Sequence, residues 1–61
     1  MVFRYVVLGG YRGNKEKYGK PVSPNFHTYQ EALHYKQTYS IFSLSVQEGE
    51  IKRIEKHGSI Q

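Results

Sequence analysis

The residues with most scope for chemistry lie between Tyr11 and Lys20, where Arg12, Lys15, Lys17 and Lys20 face a single carboxylate, Glu16, and are interleaved with Tyr11, Tyr18 and two glycines. Four cations less one anion give this stretch a net +3, out of +4 for the whole chain. Elsewhere the charges nearly cancel. Glu31 offsets Lys36, three basic groups offset three acidic ones from Glu48 to Lys56, and Arg4 is left over. Cations on a glycine-containing backbone, with aromatic rings beside them, match a polyanion. Phosphate neutralisation supplies the attraction, and stacking on bases adds contact that tolerates any sequence. The candidate nucleic-acid-binding residues are therefore Tyr11, Arg12, Asn14, Lys15, Lys17, Tyr18 and Lys20. A basic exposed turn also keeps a small protein soluble and protects a strand edge, so composition alone does not assign the role.

A second cluster lies further along, where Tyr29, Tyr35, Lys36 and Tyr39 share one face of an expected helix. Tyrosine contributes large, stiff, amphipathic area at low entropic cost and suits protein contacts. The alternative function is therefore a protein–protein adaptor or inhibitor, of phage or mobile-element type, docking through this face or through an open strand edge.

Catalytic and metal chemistry find little support. His27, Glu31 and His34 have i, i+4, i+7 spacing, but His27 precedes the expected helix cap and no fourth ligand follows. The chain has no cysteine, which removes disulfides, thiolate nucleophiles and thiolate metal sites together. No serine stands in a G-x-S-x-G context, and the Gly9-Gly10-Tyr11-Arg12-Gly13 run opens no helix that would hold a phosphate at its N-terminus. The expectation is a non-enzymatic binding module with no cofactor and no metal.

The elements that position these residues follow from patterning. Val2 to Leu8 is β-branched and aromatic, with apolar residues at odd and even positions, which predicts a strand covered on both faces. Over 9–25 two readings stand. Gly13–Asn14 can be a two-residue turn returning Lys15–Gly19 as a strand, with Tyr18 over Gly9 and a basic ribbon at the tip that fits a major groove or tracks a backbone; or the segment is a loop. Thr28-Tyr29-Gln30-Glu31 matches a capping box and starts an amphipathic helix over 28–39. Lys36 falls inside its apolar stripe. The alternation of IFSLSVQ predicts a strand over 41–47 with Phe42, Leu44 and Val46 inward, and Glu48–Gly49 turns it into a strand over 50–55 that sets Ile51 against Val46. A bulge near Lys52–Arg53 or burial on the second face beside Ile41 would account for Ile54. Residues 57–61 read as a frayed tail.

These elements predict an α+β fold: a small antiparallel sheet of three or four strands, in ββαββ or βαββ order, with one amphipathic helix packed on one face. At 61 residues the chain is expected to be a single domain over 1–61, too small to enclose a deep cavity. Ile, Leu, Val and Phe supply 15 of the 61 residues, above the level of disordered chains. The longest aliphatic run, Val6–Leu8, is far short of a membrane span, and no signal-peptide core is present, so a cytoplasmic protein is expected. A sheet this small leaves an edge uncovered, which points to a homodimer as a further expectation.

Overall fold

The structure is a computed structural model that describes residues 2–56. It is a small α+β arrangement in the order β1 (Val2–Leu8), α1 (Tyr29–Tyr39), α2 (Leu44–Gln47) and β2 (Glu50–Lys56). The two strands form one antiparallel sheet with an unbroken register from Val2 opposite Lys56 to Leu8 opposite Glu50. Val6 and Val7 are both fully buried. Since successive strand residues point to opposite faces, both faces of β1 are covered, as its two-sided apolar pattern requires.

The far edge of β1 is covered by irregular chain rather than by a regular strand. Tyr5 exchanges both backbone hydrogen bonds with Phe26, at 2.8 and 2.7 Å, and the Val22 amide donates to the Val7 carbonyl at 2.8 Å. Between the Leu8–Pro21 and Tyr5–Phe26 bridges the hydroxyl of Ser23 accepts from the Val7 amide at 2.9 Å, so a side chain substitutes there for a backbone acceptor. The expected three or four strands are therefore two, flanked by this hydrogen-bonded segment.

Helix α1 begins where the capping box places it. The Glu31 amide donates to Thr28 Oγ1 at 3.2 Å, and Glu31 Oε1 accepts from the Thr28 amide at 3.1 Å. Ala32 is the fully buried residue of the helix, while Leu33 and Lys36 are half-buried beside it. Lys36 thus lies along the packed side with only part of its surface in solvent, as a long aliphatic stem allows.

The strand expected over 41–47 is not formed. Residues 44–47 are helical, capped by Ser43, whose side chain accepts from the Val46 amide at 3.4 Å. Ser45 and Val46 are both buried, at 3% and 4% exposure, whereas Phe42 and Leu44 lie outside at 76% and 48%. Strand period would separate 45 from 46; helical turning brings them to the same side. With 41–47 out of the sheet, β2 pairs directly with β1, and Ile51 stands opposite Val7 instead of Val46. Ile54 opposes Arg4 in an unbulged ladder, on the face opposite Ile51, and Ile41 is far from covering it at 79% exposure. The tail expected over 57–61 lies outside the described residues.

Candidate nucleic-acid interface

The basic segment is a closed loop rather than a two-stranded ribbon. The Gly9 amide donates to the Lys20 carbonyl at 2.9 Å and the Gly19 amide to the Gly9 carbonyl at 2.8 Å, so the loop's two ends are joined at its base. Inside, three turns follow one another: Asn14 N–H to Tyr11 O at 3.1 Å, Lys17 N–H to Asn14 O at 3.1 Å, and Lys20 N–H to Lys17 O at 3.0 Å. A segment of this length with adjoining ends and internal hydrogen bonds has the form of an Ω-loop. Gly19 has φ +75°, a conformation that side-chain-bearing residues rarely adopt, which lets the chain turn back to Gly9. Gly9 and Tyr18 do meet, but through a parallel bridge; the Lys17 carbonyl packs where a Gly9 Cβ would be. The hairpin with an aromatic ring over Gly9 is replaced by backbone lying over backbone.

This geometry turns the cations outward. Arg12, Lys15, Lys17 and Lys20 are all exposed, although the backbone of Lys17 and Lys20 is held in the hydrogen bonds above. The Arg12 guanidinium lies 5.8 Å from the centroid of the Tyr18 ring, within cation–π range. Tyr11 and Tyr18 keep 36% and 44% of their surface in solvent, and the Tyr11 ring lies against Gly13, where a Cβ would meet it. Asn14 differs from the other candidates. It is half-buried, and its Oδ1 accepts from the Lys17 amide at 3.3 Å, so its side chain organises the loop from within. Six of the seven candidates are thus exposed together on one loop.

The loop's base is tied to the rest of the fold through Gly10. Its amide donates to the Ser45 carbonyl at 3.0 Å, and a Cβ at this position would overlap the Glu48 carbonyl, so only glycine permits the approach of α2. No signal in the sequence linked residue 10 to residue 45, because the strand reading placed Ser45 on a solvent face.

The second candidate cluster is divided by the fold. Tyr35 and Tyr39 pack with ring centroids 4.5 Å apart, and Phe26 meets Tyr35 at 5.5 Å. With Gln30, Glu31, His34 and Thr38 they line a shallow open groove of about 690 Å³. The Tyr35 hydroxyl donates to the Val22 carbonyl at 3.1 Å, which fixes α1 to the segment flanking β1. Tyr29 instead meets Tyr5 edge-on at 6.1 Å, and neither Tyr29 nor Lys36 lines the groove. Phe26 and Phe42 extend the ring series and were not among the expected partner-binding residues; Phe42 stands 6.3 Å from Tyr39. Glu31 Oε1 is occupied by the amides of His27 and Thr28, each at 3.1 Å, and among the described residues no group of three His, Cys, Asp or Glu is placed to hold a metal. Among them, too, no helix is long and apolar enough to cross a membrane.

Comparison with known proteins gives no match to a family model, to a curated protein or to a solved structure.

Proposed function

We propose that this chain is a non-catalytic nucleic-acid-binding module that engages single strands through the loop 11–20. The observation that carries the reading is the joint exposure of Arg12, Lys15, Lys17 and Lys20 with the rings of Tyr11 and Tyr18 on one closed loop. Exposed cations supply attraction to phosphates; exposed rings offer faces for bases that are already unstacked. A compact loop lacks the two-stranded ribbon suited to a major groove, which favours a single strand over a duplex. Three or four phosphate contacts are few, so binding is weak, with a salt exponent set by that small number of contacts. A cytoplasmic location belongs to this proposal.

Fluorescence anisotropy with a labelled single strand and with the duplex of the same sequence tests it. The single strand should bind more tightly, and Arg12→Ala/Lys15→Ala should weaken binding to both. Equal or tighter duplex binding would remove the single-strand assignment, and unchanged affinity in the double variant would remove the loop.

The competing reading is an adaptor or inhibitor that binds a protein along Phe26, Tyr35 and Tyr39. The aromatic floor of the groove favours it. A nuclease-insensitive, stoichiometric protein partner whose recovery depends on Tyr39 would support this reading over the first.

A further inference from the structure

The corner between α1 and α2 carries an apolar surface that the fold leaves open. Tyr39, Ile41, Phe42 and Leu44 retain 44, 79, 76 and 48% of their surface in solvent. At roughly 150–250 Å² per large side chain this is about 400–600 Å² on one copy. Isolated exposed apolar residues need no explanation, but these four fall within six positions of one chain turn, the Phe42 ring lies 6.3 Å from Tyr39, and their summed exposed area is of the size that marks an interaction site.

We propose that a second copy of this chain covers the corner, giving a two-fold dimer through Tyr39, Ile41, Phe42 and Leu44. Three observations select that occupant. The first is area: two such patches apposed bury about 800–1,200 Å², which reaches the lower bound for a specific interface. The second is charge. Gln37 to Gln47 contains no Lys, Arg, Asp or Glu, in a chain of net +4. An acidic partner would be drawn to the basic loop, whereas two identical cationic chains meet with least repulsion through their uncharged stretch. The third is the core. Among the described residues only Val6, Val7, Ala32 and Val46 are buried apolar side chains, and the chain has no disulfide to compensate. A scaffold this small commonly acquires further stability from association, and a second copy is always present in equal amount.

The α1–α2 corner is not remote from the basic loop, because Gly10 at the loop's base bonds to Ser45 of α2. Dimerisation therefore puts two basic loops on one assembly. The dimer itself does not depend on the nucleic-acid reading and is tested without nucleic acid.

Sedimentation equilibrium of the full chain over a concentration range of about a hundredfold is the direct test, read together with thermal unfolding. The expected mass is twice 7.1 kDa. The unfolding midpoint should rise by about 10 °C across that range, since unfolding is coupled to dissociation. Ile41→Ser/Phe42→Ser should halve the mass and remove the concentration dependence. A variant that fails to fold would still leave the wild-type mass and midpoint decisive. A wild-type mass of 7.1 kDa with a concentration-independent midpoint overturns the proposal, as does an open-ended series of larger species. Retention of the dimer in a folded double variant overturns the assigned surface.

Discussion

The amide of Gly10 and the carbonyl of Ser45 meet at 3.0 Å, joining the base of the basic loop to a four-residue helix that begins 34 positions after Gly10. This contact gives the loop a fixed root. Side chains on a rooted loop lose less freedom on meeting a ligand than side chains on a free one, so the site is partly organised before binding.

Substitution at this root should be costly. Gly10→Ala forces a Cβ onto the Glu48 carbonyl, and backbone on both sides must shift. A loss of about 2–3 kcal/mol in chemical denaturation is expected. Gly13→Ala is the contrast, because its Cβ meets only the movable Tyr11 ring; it should cost under about 1 kcal/mol. Equal losses at the two positions would argue against a fixed root.

Removal of the α1 cap should be measurable in so small a fold. Thr28→Ala leaves the Glu31 amide without its acceptor and should cost about 1 kcal/mol. For a domain of this size that is a fall of roughly 4–8 °C in Tm. Ser43 caps a shorter helix through a longer bond, at 3.4 Å from the Val46 amide, so Ser43→Ala should cost less.

What the sequence disclosed follows the range of the forces involved. The capping box was legible because it is local: Thr28 and Glu31 satisfy each other's amides within one turn. Strand β1 is legible from its residue types, β2 only in its extent because its expected partner 41–47 is not a strand, and the concentration of charge in 11–20 is a matter of counting. The segment 41–47 was not legible, since alternation of Phe42, Leu44 and Val46 is satisfied locally by a strand. The decision came from elsewhere, when β2 paired with β1 and Ser43 capped the residues left outside the sheet. Over 9–25 the loop is one of the two readings the residues allow, and local signals do not choose between them. Gly13–Asn14 is a sound hairpin signal, but Asn14 directs its carbonyl groups to Lys17 and closes a different set of turns.

Tyr35 separates structure from function along α1. Tyr35→Phe removes only the hydroxyl that bonds to the Val22 carbonyl, and should cost about 0.5–1.5 kcal/mol. Nucleic-acid affinity should be unchanged within error, because Tyr35 is not in the loop. A matching loss of affinity would move the interface from the loop to the aromatic groove.

Asn14 and Lys17 should differ in kind. Asn14→Ala removes an internal acceptor and should loosen the loop, detectable as faster amide exchange at Lys17. Lys17→Ala should leave the backbone turns in place and reduce the salt exponent for a single strand by about 0.7. Reversed outcomes would mean that Asn14 contacts the ligand and Lys17 supports the loop.

The salt dependence of single-strand affinity tests the central claim most directly. With three or four phosphate contacts the exponent is about −2 to −3, so affinity should fall roughly 20- to 50-fold between about 50 and 200 mM salt. Arg12→Ala/Lys15→Ala/Lys17→Ala/Lys20→Ala should flatten the slope nearly to zero while the fold persists by circular dichroism. Affinity that ignores salt in the native chain, or a slope that survives loss of all four cations, would contradict the account.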